Sequence, residues 1–374
     1  MGNGLQEAEL MAMMRINVGP LHPSTHGVLR LVVDVDGDTI MNVEPHIGFL
    51  HRGVEKLCET RMYMQNPSYF EKLDYIAPMS WQELYVASVE QAMGVQVKEA
   101  AQYARVILLE FQRIANHLLW TGTMANDIGQ MFTIFMWCFR ERDKVLKLLE
   151  DVTGGRMFYL NMRLGGIQRP LPPDFKDRAY ALADYLEKKI REYPDVLDAN
   201  SVFMERMRGV GAISKEDAIN YGVTGPVLRA AGVEEDVRRS SPYYVYDKMD
   251  FRIPTGRNGD CYDRYRVRYE EMLQSIRIIR QALDTLPDGD MIGAPIKLIG
   301  PPAKPDIVVA RRELPKGEGL IYMVPDKQRP YRISLRAPGF VNLAALPKMA
   351  VGAKFADLFA IFGSLDIIFG ETDR

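Results

Sequence analysis

Valine and leucine dominate residues 28–35, and Asp36 and Gly37 can form a turn. Residues 38–43 are again rich in β-branched residues. β-Branched residues on both sides of an Asp-Gly pair are typical of a β-hairpin. The hydrophobic pattern therefore predicts a hairpin within residues 15–44, after an irregular loop.

From about residue 52 to residue 150 the apolar period lengthens to that of a helix. One apolar face recurs at spacings of four, three and four residues, at Ile107, Phe111, Ile114 and Leu118. This spacing predicts a long amphipathic helix. A second long helix is predicted from about Met131 to Leu149, because Gly154 and Gly155 follow it as a stop signal.

Further helices are predicted from Phe175 to about Arg191 and from about Arg264 to Leu286, whereas residues 205–262 look loop-rich. Short strand candidates follow at residues 320–324 and 331–335. Strands at both ends of a central bundle of long helices predict an α+β fold. We expect one domain over residues 15–374, preceded by a flexible extension of residues 1–14.

Composition narrows the function classes. The 374 residues carry a formal net charge of −2, and no basic excess suggests nucleic-acid binding. Three scattered cysteines without a Cys-x-x-Cys pair indicate a reducing compartment, and they exclude this chain as the sole ligand set of an iron–sulfur cluster. The most apolar run, residues 131–139, is too short to cross a bilayer.

Histidines are concentrated near the N-terminus. Four of the five lie at His22, His26, His46 and His51, in segments rich in glycine and proline. A closed metal site at the first two is disfavoured, because Pro23 and the glycine at 27 argue against a helix that would align them. Two interpretations stay open: imidazoles that hydrogen-bond to backbone in a loop, or an imidazole that faces a ligand as a donor.

Two further residues are candidates of a weaker kind. Asp127 could cap a helix, which is the better interpretation on sequence alone. It could instead orient an imidazole and raise its pKa. Nothing local marks Tyr75 among the 18 tyrosines. No phosphate-binding glycine loop and no Gly-x-Ser-x-Gly motif occurs, so the sequence does not support nucleotide binding or serine hydrolysis.

A series of motifs resembles the quinone-site subunit of respiratory complex I, the 49-kDa or D-type subunit, which is related to the large subunit of [NiFe] hydrogenases. The resemblance begins with Gly-Pro-Leu-His-Pro-Ser-Thr-His-Gly at 19–27 and His-Ile-Gly-Phe-Leu-His-Arg-Gly at 46–53. It continues in order through residues 151–156, 163–166, 208–211, 228–232, 259–264 and 364–366 to the end of the sequence.

The resemblance implies a hydrogenase-like fold and a cavity in which a lipid-soluble carrier is reduced. His26 and Tyr75 would contact the two carbonyl oxygens of the headgroup, and Asp127 would pair with His26. The electrons would come from a [4Fe–4S] cluster in a neighbouring B-type subunit, so this chain would bind no cofactor of its own. A C-type subunit and a membrane-arm H-type subunit would be the other partners.

The same resemblance implies a peripheral subunit on the cytoplasmic face of the membrane, in an ion-pumping translocase that accepts electrons from NADH, F420H2 or ferredoxin. The carrier would be quinone, menaquinone or methanophenazine. The hydrogenase metal ligands are missing: their two cysteine pairs would align with Asp74 and Ala77, and with positions near Ile368 and Glu371. We therefore expect no metal in this chain.

Two positions depart from the complex I pattern. Lys72 replaces an arginine, and Phe158 replaces a histidine, both close to where the family places the neighbouring cluster. We expect a cluster of lower, less pH-dependent potential, suited to menaquinone or methanophenazine. The chain also resembles the D-type subunit of archaeal F420H2 dehydrogenases. The alternatives are a non-catalytic scaffold that retains the fold and a hydrolase with a histidine-bound metal.

Overall fold

The computed structural model describes residues 13–20, 27–129, 131–294 and 306–374. The first sheet is antiparallel and contains β1 (Met14–Val18), β2 (Arg30–Asp36) and β3 (Thr39–His46), in that order. The β2–β3 hairpin confirms the prediction, with Gly37 at a φ of 60° in its turn. The pattern did not predict β1, because that strand is mostly exposed and its few residues show no clear alternation.

The helices of the described chain are α1 (Val54–Thr60), α2 (Pro67–Phe70), α3 (Pro78–Met93), α4 (Glu99–Gly129), α5 (Phe132–Thr153), α6 (Phe175–Arg191), α7 (Tyr193–Leu197), α8 (Ser201–Met207), α9 (Lys215–Asn220), α10 (Gly225–Ala230), α11 (Val237–Ser240), α12 (Cys261–Asp284), α13 (Pro338–Ala344), α14 (Leu346–Ala350), α15 (Leu358–Ser364) and α16 (Phe369–Thr372). The short antiparallel pair β4 (Met162–Arg163) and β5 (Gly166–Ile167) follows α5. None of the helices in these ranges combines the length and apolar character that a bilayer crossing requires.

Helix α4 is the centre of the molecule. It packs along α5 and α12, and most of its residues are buried on all sides. The predicted helical face around Ile107 and Phe111 is fully buried, which confirms the periodicity argument. The predictions of α5, α6 and α12 are confirmed within a few residues, and Gly154 ends α5 in the left-handed region.

One local prediction is wrong. Asp127 does not cap a helix: it lies in the last turn of α4, and the residue that precedes α5 is Met131. The segment 205–262 is loop-rich as predicted, and it also contains part of α8 and all of α9, α10 and α11. Those helices are too short to show a helical period in the sequence.

The second sheet is also antiparallel, with the order β6 (Val308–Leu314), β7 (Gly317–Pro325) and β8 (Pro330–Arg336). Strands β7 and β8 confirm the two strand candidates, and β6 adds a third. A Cβ atom on Gly225 would lie 2.3 Å from the Cα of Gly317. The β6–β7 turn is therefore held tightly against the start of α10, and it carries Lys316 into the interior.

The three cysteines, Cys58, Cys138 and Cys261, are free and buried in the hydrophobic core. Burial raises the pKa of the Cys58 and Cys138 thiols to about 12. Strands at both ends around long helices confirm the predicted α+β class. The division into a flexible extension and one domain stays a prediction, and residues 1–12 of that extension lie outside the described ranges.

Candidate functional site

A cavity of about 290 Å³ opens where the C-terminal end of α4 meets the loops before α3 and α16. Tyr75 and Asp127, which the resemblance implies as site residues, both line it. The other lining residues are mainly apolar or aromatic: Ile76, Leu119, Trp120, Thr123, Asn126, Phe135, Asp366, Ile367 and Ile368. An apolar cavity with a few polar groups suits a flat, weakly polar ligand.

Asp74 fixes the backbone that directly follows Tyr75. Its Oδ1 accepts hydrogen bonds from the amides of Ile76, at 3.0 Å, and Ala77, at 3.2 Å. The turn therefore enters α3 in one defined geometry and leaves Tyr75 half-buried at the cavity. Burial raises the pKa of Tyr75, and the charge of Asp74 raises it further, so the phenol keeps its proton.

Asp127 reaches the cavity from the end of α4, where its side chain is exposed. The predicted partner of Asp127, His26, lies outside the described residues, as does His22. Gly27 is described, and it lies against the ring of Phe369: a Cβ atom on this glycine would be 2.8 Å from the Phe369 Cδ2. Phe369 directly follows Ile368, which lines the cavity.

Next to the residues that line the cavity lies a charged group that the sequence analysis did not predict. Lys316 is buried, and its Nζ lies 2.7 Å from Oδ2 of Asp74. It also donates to Oδ1 of Asn116 on α4. The Nδ2 of Asn116 donates to Oδ2 of Asp366 at 3.0 Å. Lys316 is thereby linked to two carboxylates, one next to Tyr75 in sequence and one in the cavity wall.

Glu371 is the third acid of this region. Its Oε2 accepts from Nε1 of Trp81 at 2.6 Å, and its Oε1 accepts from the amide of Gly339 at 2.9 Å. Burial raises the pKa of Glu371 to about 8, and the charge of Asp74 adds to the shift, while Lys316 opposes it. We call Asp74, Asp366, Glu371 and Lys316 the cavity-side cluster.

Part of this cluster had a sequence signal. Asp366 interrupts the apolar run of residues 358–369, and a lone charge in such a run indicates a buried polar role. Lys316 had none, because a lysine between proline and glycine in a hairpin turn is normally exposed.

Lys72 and Phe158 lie together, but neither lines the cavity. The Nζ of Lys72 is 5.9 Å from the centroid of the Phe158 ring, and it also lies 3.5 Å from Oε1 of Glu71. Phe158 is 45% exposed. The structure thus places the two departures from the complex I pattern side by side on the surface.

The remaining histidines serve other contacts. The Nδ1 of His51 is 2.7 Å from the carbonyl oxygen of Asp373, and the Nε2 of His46 is 3.8 Å from Glu44. His117 is buried, with its Nε2 2.9 Å from Oε2 of Glu271. Burial lowers the pKa of His117. Across the ranges that the structure describes, no three histidine, cysteine, aspartate or glutamate residues converge on a position that could hold a metal ion.

Comparisons with known proteins agree on one family. Residues 127–374 match the family described as the respiratory-chain NADH dehydrogenase 49 Kd subunit. The chain is 48% identical over 360 residues to the D-type subunit of NADH-quinone oxidoreductase from Dehalococcoides mccartyi, an alignment that covers 96% of this chain and 98% of that protein. The corresponding protein of Geotalea uraniireducens is 44% identical over 386 residues, covering 97% and 99%. That of Clostridium beijerinckii is 44% identical over 364 residues, covering 96% and 97%.

Proposed function

Because the chain belongs to the 49-kDa subunit family of respiratory-chain NADH dehydrogenases, we propose that its cavity binds the headgroup of a lipid-soluble carrier and supplies protons for its reduction. The observation that carries this proposal is the meeting of Tyr75 and Asp127 in one cavity from distant parts of the sequence. The curated relatives are named as NADH-quinone oxidoreductases, which favours a quinone as the carrier.

In the proposed reaction, two electrons from a cluster in a neighbouring subunit and two protons convert the carrier to its reduced form. Tyr75 donates a hydrogen bond, and then a proton, to one oxygen of the headgroup. His26 does so at the other oxygen, and Asp127 stabilises the charged imidazole. The raised pKa of Tyr75 supports this role, because the phenol is protonated before the electrons arrive.

The proposed position of His26 is supported by its neighbour in sequence. Gly27 lies against Phe369, beside the cavity-lining Ile368. A bulkier residue at position 27 would collide with that ring. The glycine therefore permits close contact between the chain at position 27 and the ring of Phe369.

The finer assignments belong to the same proposal. We propose that the neighbouring cluster subunit is B-type, that a C-type subunit and a membrane-arm H-type subunit complete the surroundings, and that the assembly lies on the cytoplasmic face of the membrane. Proton uptake through Tyr75 and His26, with a change of charge at Asp127, would start the coupling to ion pumping.

Lys72 and Phe158 support a carrier of low potential, menaquinone or methanophenazine. A mobile ammonium over a phenyl ring stabilises a reduced cluster less than the guanidinium and imidazole of the complex I pattern. Redox titration of Phe158→His in the assembled complex should give a higher and more pH-dependent cluster potential. An unchanged potential would remove the support for a low-potential carrier.

The first experiment is carrier reduction by the assembled complex with Tyr75→Phe, beside reduction of an artificial acceptor upstream. We expect a loss of about 100-fold in carrier reduction with the upstream activity intact. Tyr331→Phe is the matched control, because that tyrosine is 73% exposed on β8. If Tyr75→Phe retains full carrier reduction, the headgroup binds elsewhere, and a scaffold that keeps the fold becomes the better interpretation.

A further inference from the structure

We propose that the cavity-side cluster stores one exchangeable proton, carried by Glu371, and that this proton restores the Tyr75 phenol after each turnover. The inference rests on the proposed function, because it takes Tyr75 as the donor to the carrier. It assigns roles to Glu371, Lys316 and Asp74, which do not contact the carrier themselves and act through Tyr75.

The first support is the close packing of α16 on the turn that precedes Tyr75. A Cβ atom on Gly370 would lie 2.5 Å from the carbonyl oxygen of Leu73. The backbone of α16 therefore rests directly on the chain one residue before Asp74. This contact brings Glu371 beside Asp74, and Asp74 is next to Tyr75.

The second support is a count of charges in a buried space. Asp74, Glu371 and Lys316 are each no more than 2% exposed, and Asp366 is 9% exposed. Three acids thus face one ammonium. A further cation whose charge acts on Asp366 is Arg268, which is buried against Trp120 with its guanidinium carbon 4.2 Å from the ring centroid.

Even when Arg268 is included, the three acids outnumber the two cations by one. Burying an unpaired carboxylate costs more free energy than binding a proton, so the excess acid stays protonated. Within the described residues, Nε and Nη2 of Arg268 have no hydrogen-bond acceptor. The positive charge of Arg268 therefore acts on the cluster from a distance. It forms no direct ion pair with a second acid in the part of the chain that the structure describes.

Glu371 is the acid that holds the proton, because its partners are the weakest. In the described part of the chain its carboxyl oxygens accept from the neutral donors Trp81 and Gly339. Asp74 instead has the Lys316 ammonium and two amides, and Asp366 has Asn116 and the two nearby cations. The raised pKa of Glu371, about 8, agrees with this order.

Other charged groups near α16 balance one another. Arg52 donates to the carbonyl oxygens of Gly370, at 2.9 Å, and Lys72, at 3.1 Å. Asp373 accepts from the amides of Gly48 and Leu50. The opposite charges of Arg52 and Asp373 interact, so neither replaces Lys316 as the counter-charge of the cluster.

The proton step balances without a further reactant. When Tyr75 gives its proton to the reduced carrier, the phenol O–H bond breaks and an O–H bond forms on the carrier. The O–H bond of the Glu371 carboxyl then breaks, and the phenol is restored through the groups around Asp74. The new Glu371 carboxylate is stabilised by the Lys316 ammonium until a proton from solvent restores the acid.

The test is the pH profile of carrier reduction in the assembled complex. The unmodified complex should lose activity at alkaline pH as Glu371 ionises, and we call this decline the alkaline limb of the profile. Lys316→Met should move the alkaline limb to higher pH, because it removes a cation that favours the carboxylate. Asp74→Asn should move it to lower pH, because it removes a neighbouring negative charge. Glu371→Gln should abolish the limb and lower the rate at neutral pH by at least about tenfold.

Lys98→Met and Asp290→Asn are the matched controls, since these residues form an exposed ion pair. They should leave the profile unchanged. Shifts of the same sign in Lys316→Met and Asp74→Asn, or a normal rate and limb in Glu371→Gln, would overturn the inference. Those results, combined with a Tyr75→Phe complex that no longer reduces the carrier, would leave the proposed function standing. Full carrier reduction by Tyr75→Phe would instead overturn the proposed function.

An infrared titration keeps the inference testable if Lys316→Met does not assemble. The unmodified complex should show a protonated buried carboxyl that ionises near pH 8, besides that of Glu313, whose raised pKa is about 7. Glu371→Gln should lack the band that ionises near pH 8, and in Asp74→Asn this band should disappear at lower pH. A band that still ionises near pH 8 in Glu371→Gln would contradict the assignment.

Discussion

Two buried charged clusters contact α4, the interior cluster through Glu110 and Arg113 and the cavity-side cluster through Asn116, and they differ in the cations that hold them. The interior cluster contains four acids and three arginines: Glu110, Asp236, Glu271, Glu313, Arg113, Arg229 and Arg238. Every one of its acids contacts an arginine directly. Among the described residues of the cavity-side cluster, the only direct ion pair joins Lys316 to Asp74.

The clusters share one feature, an acid in excess of the nearby cations. In each, one acid has a raised pKa because of burial: about 7 for Glu313 and about 8 for Glu371. The neutral His117 does not change the count, since burial lowers its pKa. The number of acids and cations in a buried cluster therefore indicates how many protons the cluster keeps. The location of the cluster decides whether such a proton can reach a group that lines the cavity.

The largest expected effect comes from breaking the interior cluster at Arg229. Its guanidinium contacts Glu271 at 2.7 Å and Glu313 at 2.9 Å. Arg229→Met leaves both buried acids without their main partner, so we expect a loss of about 3–5 kcal/mol of stability. Thermal unfolding of the complex measures it. The exposed pair Arg311–Glu318 supplies the control: Arg311→Met should cost less than about 1 kcal/mol. Equal losses would contradict the contrast between buried and exposed pairs.

The second prediction concerns the pH dependence of stability at Glu371. The pKa of this group is about 8 in the folded protein, against 4.5 as its ordinary value. The folded state therefore binds the proton more tightly, and stability falls as pH rises from about 4.5 to about 8, then levels off.

Glu371→Gln should remove this decline, so the difference in stability between the unmodified complex and the variant should change by a few kcal/mol across that range. Thermal unfolding at a series of pH values measures it. A difference that is independent of pH would show that Glu371 is ionised throughout.

A smaller effect is expected at the turn that carries Lys316. Gly225 has a φ of 68°, and a Cβ atom there would lie 2.3 Å from the Cα of Gly317. Gly225→Ala should cost about 1–3 kcal/mol and impair carrier reduction by displacing Lys316. Gly37→Ala is the control, because Gly37 has a similar φ of 60° but open space around its Cβ position. If the two variants behave alike, the tight contact does not position Lys316.

The smallest effect should follow from neutralising the excess acid of the interior cluster. Glu313→Gln should leave the alkaline limb of carrier reduction unchanged and alter the rate by less than about twofold, because Glu313 does not adjoin the cavity. The pH profile of the assembled complex checks this. A loss as large as that of Glu371→Gln would mean that both clusters supply protons, and that location does not separate them.

The long elements of the fold could be predicted from sequence because each buries one continuous face. The α6 prediction matches both ends of the observed helix, Phe175–Arg191. The short helices of residues 205–262 could not be predicted, since their packing partners are far away in sequence. The same holds for β1, which is defined by its pairing with β2 rather than by its own pattern.

The site was predicted in part. Tyr75 and Asp127 followed from the resemblance, and the structure places both in one cavity. His26 stays a prediction. Lys316 and Glu371 could not be selected as a pair, because their proximity depends on a hairpin turn and a terminal helix that both pack near Asp74. These are contacts between residues far apart in sequence, and local sequence patterns do not predict them.

The burial of all three cysteines makes this chain convenient for site-directed labelling. With the thiols of Cys58 and Cys138 both at a pKa of about 12 and Cys261 fully enclosed, maleimide reagents should find little native thiolate in the folded subunit. A single cysteine introduced at Met136, which is 50% exposed on the helix that carries the cavity residue Phe135, would then take a spin label or fluorophore selectively. Such a probe would report the arrival of the carrier without the removal of any native cysteine.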